Sequence, residues 1–157
     1  MVDYSAFGLV RSSTAQAIGA EDAVERLRAG RGLPSSVLPY GNGRSYGDTC
    51  LNDDGALIDM RSMNRVLAFD AESGLLTAQA GLMLSDLIAQ VGPKGWFPAV
   101  VPGTQFVTLG GAIANDVHGK NHHRRGTFGC HAVSFTLLRS DGETRHCSAQ
   151  ENAELFR

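Results

Sequence analysis

Apolar residues recur at two periods along this chain and divide it into short strands and short helices. Ala20, Ala23, Val24 and Leu27 fall on one helical face, with Glu21 and Asp22 in the first turn and Gly30 beyond the end, so the spacing predicts a short packing helix. Residues 35–39 and 56–60 are compact apolar runs of the kind that form buried strands, and they flank a glycine-rich loop. Residues 75–80 alternate as a strand, whereas Leu84, Leu87, Ile88 and Val91 return to helical spacing until Gly92-Pro93 stops them. The proline-bounded run 96–102 reads as a short buried segment, and 108–115 as a short helix whose open N–H groups face a ligand. Residues 132–138 and 144–147, joined through Asp141-Gly142, predict a hairpin. Ser148-Ala149-Gln150-Glu151 has the capping-box pattern, yet only Asn152 to Arg157 follow, and from this the chain is expected to be cut from a longer one.

Two glycine-rich stretches carry the candidate chemistry. The first is Gly41-Asn42-Gly43-Arg44-Ser45-Tyr46-Gly47-Asp48; the second starts at Pro102-Gly103-Thr104 and continues to Thr108-Leu109-Gly110-Gly111. Backbone this bare approaches a ligand closely and turns N–H groups toward an anion, so the pair predicts a phosphate held from both sides, with a dinucleotide as the ligand. Residues 112–123 then place small, polar and imidazole groups where a cofactor's reactive end would lie. His118, His122, His123 and His131 invite a metal reading, but adjacent His122 and His123 point differently, no nearby Cys or Glu completes a set, and Lys120, Arg124 and Arg125 repel a cation. No metal is expected. Those three basic residues are either solvated or turned toward a phosphorylated substrate.

Bulk properties narrow the class. A chain of 157 residues with 43% hydrophobic and 19% charged residues and a net charge of −2 is expected to be one globular domain, neither disordered nor a polybasic nucleic-acid binder. The first residues lack a basic start and an apolar run, and no segment nears the length of a membrane span, so a cytoplasmic protein is expected. Three cysteines without CxxC spacing predict reduced thiols rather than a disulfide framework.

With these motifs in view, the chain resembles the FAD-binding region of the vanillyl-alcohol oxidase and p-cresol methylhydroxylase (PCMH) type. Within that superfamily it is most similar to the sugar, sugar-lactone and alditol oxidases, the group that includes the oxidase subunit of decaprenylphosphoryl-ribose 2'-epimerases. The blocks that carry the resemblance, in order, are Gly41-x-Gly43-Arg44-Ser45-Tyr46-Gly47-Asp48, Val101-Pro102-Gly103-Thr104, Val107-Thr108-x-Gly110-Gly111-Ala112-Ile113-Ala114 and His118-Gly119-Lys120-Asn121-His122-His123.

The resemblance implies an α+β chain of two small subdomains, about residues 15–70 and the start of a second from about 71 to 157, that grip FAD, with the substrate domain absent. It implies that Pro39, Tyr40, Gly41, Asn42, Gly43, Arg44, Ser45, Tyr46, Gly47, Asp48 and Thr49 wrap the pyrophosphate, with the N–H groups of residues 43–46 nearest the anion. Gly103, Thr108, Leu109, Gly110 and Gly111 would hold its other side. Asn115, Asp116, Val117 and His118 would lie along the ribityl chain and the ring, with His118 the one flavin-proximal catalytic candidate and the base beyond Arg157. Covalent relatives use a histidine where this chain has Arg44, and some use a cysteine where it has Thr104 and Gln105, so the FAD is expected to be noncovalent. The implied reaction is oxidation of a CH–OH group of a sugar, sugar lactone or polyol by hydride transfer to flavin N5, with electrons passing to oxygen, a partner reductase or another acceptor. Two other readings remain open from the residues alone: a noncatalytic nucleotide-binding module, and an empty fragment without activity of its own.

Overall fold

The computed structural model describes residues 1–156; Arg157, the expected end of the last helix, lies outside them. Strands β1 (Val2–Ser5), β2 (Ser12–Gly19), β3 (Val37–Tyr40) and β4 (Ala56–Asp59) form one sheet in the order β1-β2-β4-β3. β2, β4 and β3 run parallel, and β1 is antiparallel to β2. Parallel neighbours need a crossover, and helix α1 (Ala20–Arg28) provides it between β2 and β3. Ala56, Leu57 and Ile58 are all buried because both faces of β4 are covered: Ala56 and Ile58 pack with Ile18, Ala20 and Ala23, while Leu57 packs with Tyr4, Ala15 and Tyr40. Pro39 is tolerated because β3 is an edge strand.

The rest of the chain builds a second core. Strands β5 (Val66–Phe69) and β6 (Leu76–Ala78) form an antiparallel pair, and helix α2 (Leu84–Val91) buries Leu84, Leu87 and Val91 against Leu82, Val66, Phe69, Leu76 and Trp96. Helix α3 (Leu109–Ala114), the single turn α4 (His122–Arg125), the hairpin of β7 (Ser134–Leu138) and β8 (Thr144–Ser148), and α5 (Ala153–Phe156) follow. The hairpin turn closes through Arg139 N–H to Glu143 C=O, with Gly142 at φ 84°, the left-handed position a glycine fills without strain.

Mixed α and β structure agrees with expectation, but several details differ. Strands β1, β2 and β5 have no counterpart among the predicted elements. The β5–β6 hairpin spans the approximate division expected near residue 70, with Met63 packed against the first core and Val66 against the second. Of the run 96–102 only Val100 is buried, and Phe97 is 61% exposed. Ser148 Oγ accepts the N–H groups of Gln150 and Glu151, yet the helix begins later, at Ala153. Among the described residues no helix is long and apolar enough to cross a membrane.

Candidate functional site

In the parallel part of the sheet Gly19, Asp59 and Tyr40 stand level at the carboxyl ends of β2, β4 and β3. The 41–49 loop leaves from this edge, the side on which open α/β sheets place ligands. Tyr40 anchors its start: the hydroxyl donates to Ser5 C=O at 2.9 Å, and the ring meets Tyr4 edge-on at 4.6 Å. Burial is the main reason that this hydroxyl's pKa lies above the ordinary tyrosine value. Beside it, Arg61 sits 5.6 Å from the Tyr40 ring centre and grips Asp59 with two nitrogens, which holds the Asp59 carboxyl below the usual carboxylate range.

The loop's backbone has a shape that would fit an anion. Outside the strands, no backbone carbonyl among the described residues accepts an N–H from residues 41–50, and the Ser45 N–H lies by the Cys50 thiol. Gly43 and Gly47 adopt φ of 60° and 62°, the alternation of handedness that turns successive N–H groups toward one concave side. Gly43 is buried, and a Cβ there would strike Ser5 C=O and the Tyr40 hydroxyl. Arg44, Tyr46, Gly47, Asp48 and Thr49 are exposed, and Arg44 has no carboxylate partner among the described residues. Open donors around a glycine cradle, with a free guanidinium beside them, fit a diphosphate.

The second stretch lies against the first. A Cβ on Gly41 would come within 2.7 Å of Thr108 Oγ1, and the Asn42 amide donates to Phe106 C=O at 2.9 Å. The N–H groups of Leu109 to Ala112 are nonetheless committed to the protein, contrary to the expectation of open donors on this helix. Leu109 donates to Leu82 C=O and Gly110 to Ala80 C=O, each at 2.7 Å; Gly111 donates to Thr108 Oγ1 at 3.2 Å and Ala112 to Thr108 C=O. The glycine at 110 serves close packing instead, since a Cβ there would lie 2.9 Å from that of Ala80. Gly103 is exposed with open space around it.

Beyond α3 the predicted residues divide. Asn115 spends its amide on Gly111 C=O at 2.9 Å, and Asp116, at φ 41°, accepts the Gly129 N–H at 2.8 Å. Val117 is half-buried, its backbone tied to Ala112 and Phe128. His118 is exposed and meets the His122 ring edge-on at 5.1 Å; no hydrogen bond, ion pair or ring contact among the described residues joins it to the first loop. His122 and His123 pair at 5.9 Å, and among the described residues no three His, Cys, Asp or Glu side chains gather as a metal set. Sequence reasoning passed over the turn between β1 and β2, which touches the first loop at several points; only the register of β1 on β2 places it there.

The family described as an FAD binding domain matches residues 15–148. The chain is 45% identical over 121 residues to the decaprenylphosphoryl-beta-D-ribose oxidase of Mycolicibacterium smegmatis, covering 76% of this chain and 26% of that protein. It is 33% identical over 132 residues to the L-gulonolactone oxidase of Mus musculus, covering 84% of this chain and 30% of that protein. Against the putative D-arabinono-1,4-lactone oxidase of Neurospora crassa it is 27% identical over 132 residues, covering 83% and 23%. The chain thus spans less than a third of the length of these relatives. The family match over most of the length and the identity to flavin oxidases lead to one assignment: the chain belongs to the FAD binding domain family, and FAD is its cofactor.

Proposed function

We propose that this chain is the cofactor-gripping part of a flavin-dependent oxidoreductase that oxidises a CH–OH group of a sugar, sugar lactone or polyol. The observation that carries the reading is the set of N–H groups over residues 41–50 that no backbone carbonyl takes up, on a loop turned by two left-handed glycines. Bound FAD supplies a two-electron acceptor for the substrate carbon. The protein's part is to hold and orient it. The N–H groups of Gly43, Arg44, Ser45 and Tyr46 face the diphosphate, the Arg44 guanidinium adds a charge-assisted hydrogen bond, and His118 presents an imidazole at the ring end. Gly41 and the Asn42 amide lock the loop to the segment leading into α3, so that segment positions the cradle, with Gly103 and Thr108 on its other side. The names of these three relatives, oxidases of sugar-derived compounds, support the substrate class.

The attachment is noncovalent on this reading, because Arg44 and Thr104 offer no nucleophile for the flavin, and acid precipitation should leave the yellow colour in solution. The central test is flavin titration of Gly47→Ala. Gly47 has open space around it, so the added methyl clashes with nothing and acts only through the left-handed φ, at about 1 kcal/mol of stability. FAD affinity is expected to fall about tenfold or more while the variant stays folded. Unchanged affinity would remove the loop from the site. Equal affinity of the wild type for ADP and FAD would favour a nucleotide-binding module without redox chemistry.

A further inference from the structure

The turn between β1 and β2 lies outside the residues that the family match covers, yet it fastens the cofactor loop from one side. Phe7 N–H donates to Ser45 C=O at 3.0 Å, and the Phe7 ring meets the Tyr46 ring edge-on at 5.2 Å. Ser5 C=O accepts the Tyr40 hydroxyl and closes over Gly43. Arg11 reaches Asp53 at 2.9 Å with one nitrogen and stands 3.8 Å from Asp48 with the other. Within the turn Leu9 is held at φ 55°, a left-handed conformation that is costly for leucine and persists only where its surroundings enforce it.

These contacts bear directly on the anion site. Ser45 C=O and Tyr46 N–H belong to one planar trans peptide, so a carbonyl held by Phe7 forces the Tyr46 N–H to point the opposite way, off the turn and into the cradle. Asp48 is the one carboxylate within the 41–49 loop, and an unpaired negative charge there repels a diphosphate. Arg11 is the cation beside it.

We propose that residues 6–11 form a brace that holds the 41–49 loop in its anion-receiving conformation, with Arg11 as the positioning residue that offsets the Asp48 carboxylate. This rests on the reading of the loop as a diphosphate site. The test titrates the protein with FAD and, separately, with inorganic diphosphate, following the amide signals of residues 41–50 by NMR. Arg11→Gln is expected to weaken both ligands about five- to tenfold at low ionic strength, a gap that closes in 1 M salt. Arg11→Lys should bind as the wild type does. Asp48→Asn should bind at least as tightly as the wild type, and Arg11→Gln with Asp48→Asn should recover wild-type affinity within about twofold. Because the Arg11 side chain is 57% exposed, melting temperature should hardly move across the set, which separates an electrostatic role from a general loss of structure. Wild-type affinity in Arg11→Gln, weaker binding in Asp48→Asn, or a double variant no better than Arg11→Gln would each overturn the brace. Loop signals that respond to neither ligand in the wild type would instead overturn the site reading itself.

Discussion

Single residues in this chain do work that their type alone does not reveal. Gly43 and Gly110 stand in similar-looking motifs, yet Gly43 supplies a left-handed turn under Ser5 and Tyr40, while Gly110 lets α3 approach Ala80. One shapes the 41–49 loop and the other serves packing. Asp59 is the residue whose titration should be visible in stability. Arg61 lowers its carboxyl in the folded state chiefly by hydrogen bonding, so the pair's contribution is present above the unfolded carboxylate pKa of about 3.9 and is lost as pH falls through the lower folded value. Asp59 Oδ1 also accepts the Arg61 N–H at 3.1 Å. Chemical denaturation of Asp59→Asn should therefore show a loss of about 1–2 kcal/mol at pH 7 that shrinks as the pH is lowered below about 4. A constant difference across that range would assign the loss to shape rather than charge.

At the scale of elements, the periodic segments were legible and the small-residue ones were not. Helices α1 and α2 appear where Ala20, Ala23 and the leucines of 84–91 predict them, because a 3.6-residue repeat of apolar side chains survives in the sequence. Strand β2 escaped because its buried positions are Ser13, Ala15 and Ile18, and two of those three carry little apolar signal. Its strand character comes from pairing with β1 and β4. Helix α3 was legible in extent but not in use: its first N–H groups looked open, and the isolated bridge between Met83 and Thr108 brings Ala80 and Leu82 close enough to take them. Thr108, buried and capping Gly111, makes this arrangement testable. Thr108→Ala should cost about 1 kcal/mol, lowering the melting temperature by about 2–4 °C in a domain of this size, as read by calorimetry. No change in melting temperature would mean that the cap is dispensable.

For the whole molecule, cofactor and fold should be linked. A ligand that fills an otherwise unsatisfied donor set binds the folded chain and not the unfolded one. FAD at about 100 times its Kd is thus expected to add about 2.7 kcal/mol to unfolding free energy, read as an upward shift in melting temperature, while riboflavin, which lacks the diphosphate, should add far less. Equal shifts from both would place the grip on the ring rather than on the 41–49 loop. The sequence by itself determined the existence of that loop, since Gly41-Asn42-Gly43-Arg44-Ser45-Tyr46-Gly47-Asp48 is a local pattern whose backbone freedom needs no partner to be read, and its resemblance to a known family supplied the cofactor class. Tertiary structure decided which glycines lie open to a ligand and which serve packing, where the two cores part, and that Ser5, Phe7 and Arg11 close over the loop. The physical reason is that a donor's availability depends on what stands opposite it. For Leu109 and Gly110 the acceptors are carbonyls nearly thirty residues earlier in the chain, and for Ser45 the partner is the Phe7 amide on a turn between two strands.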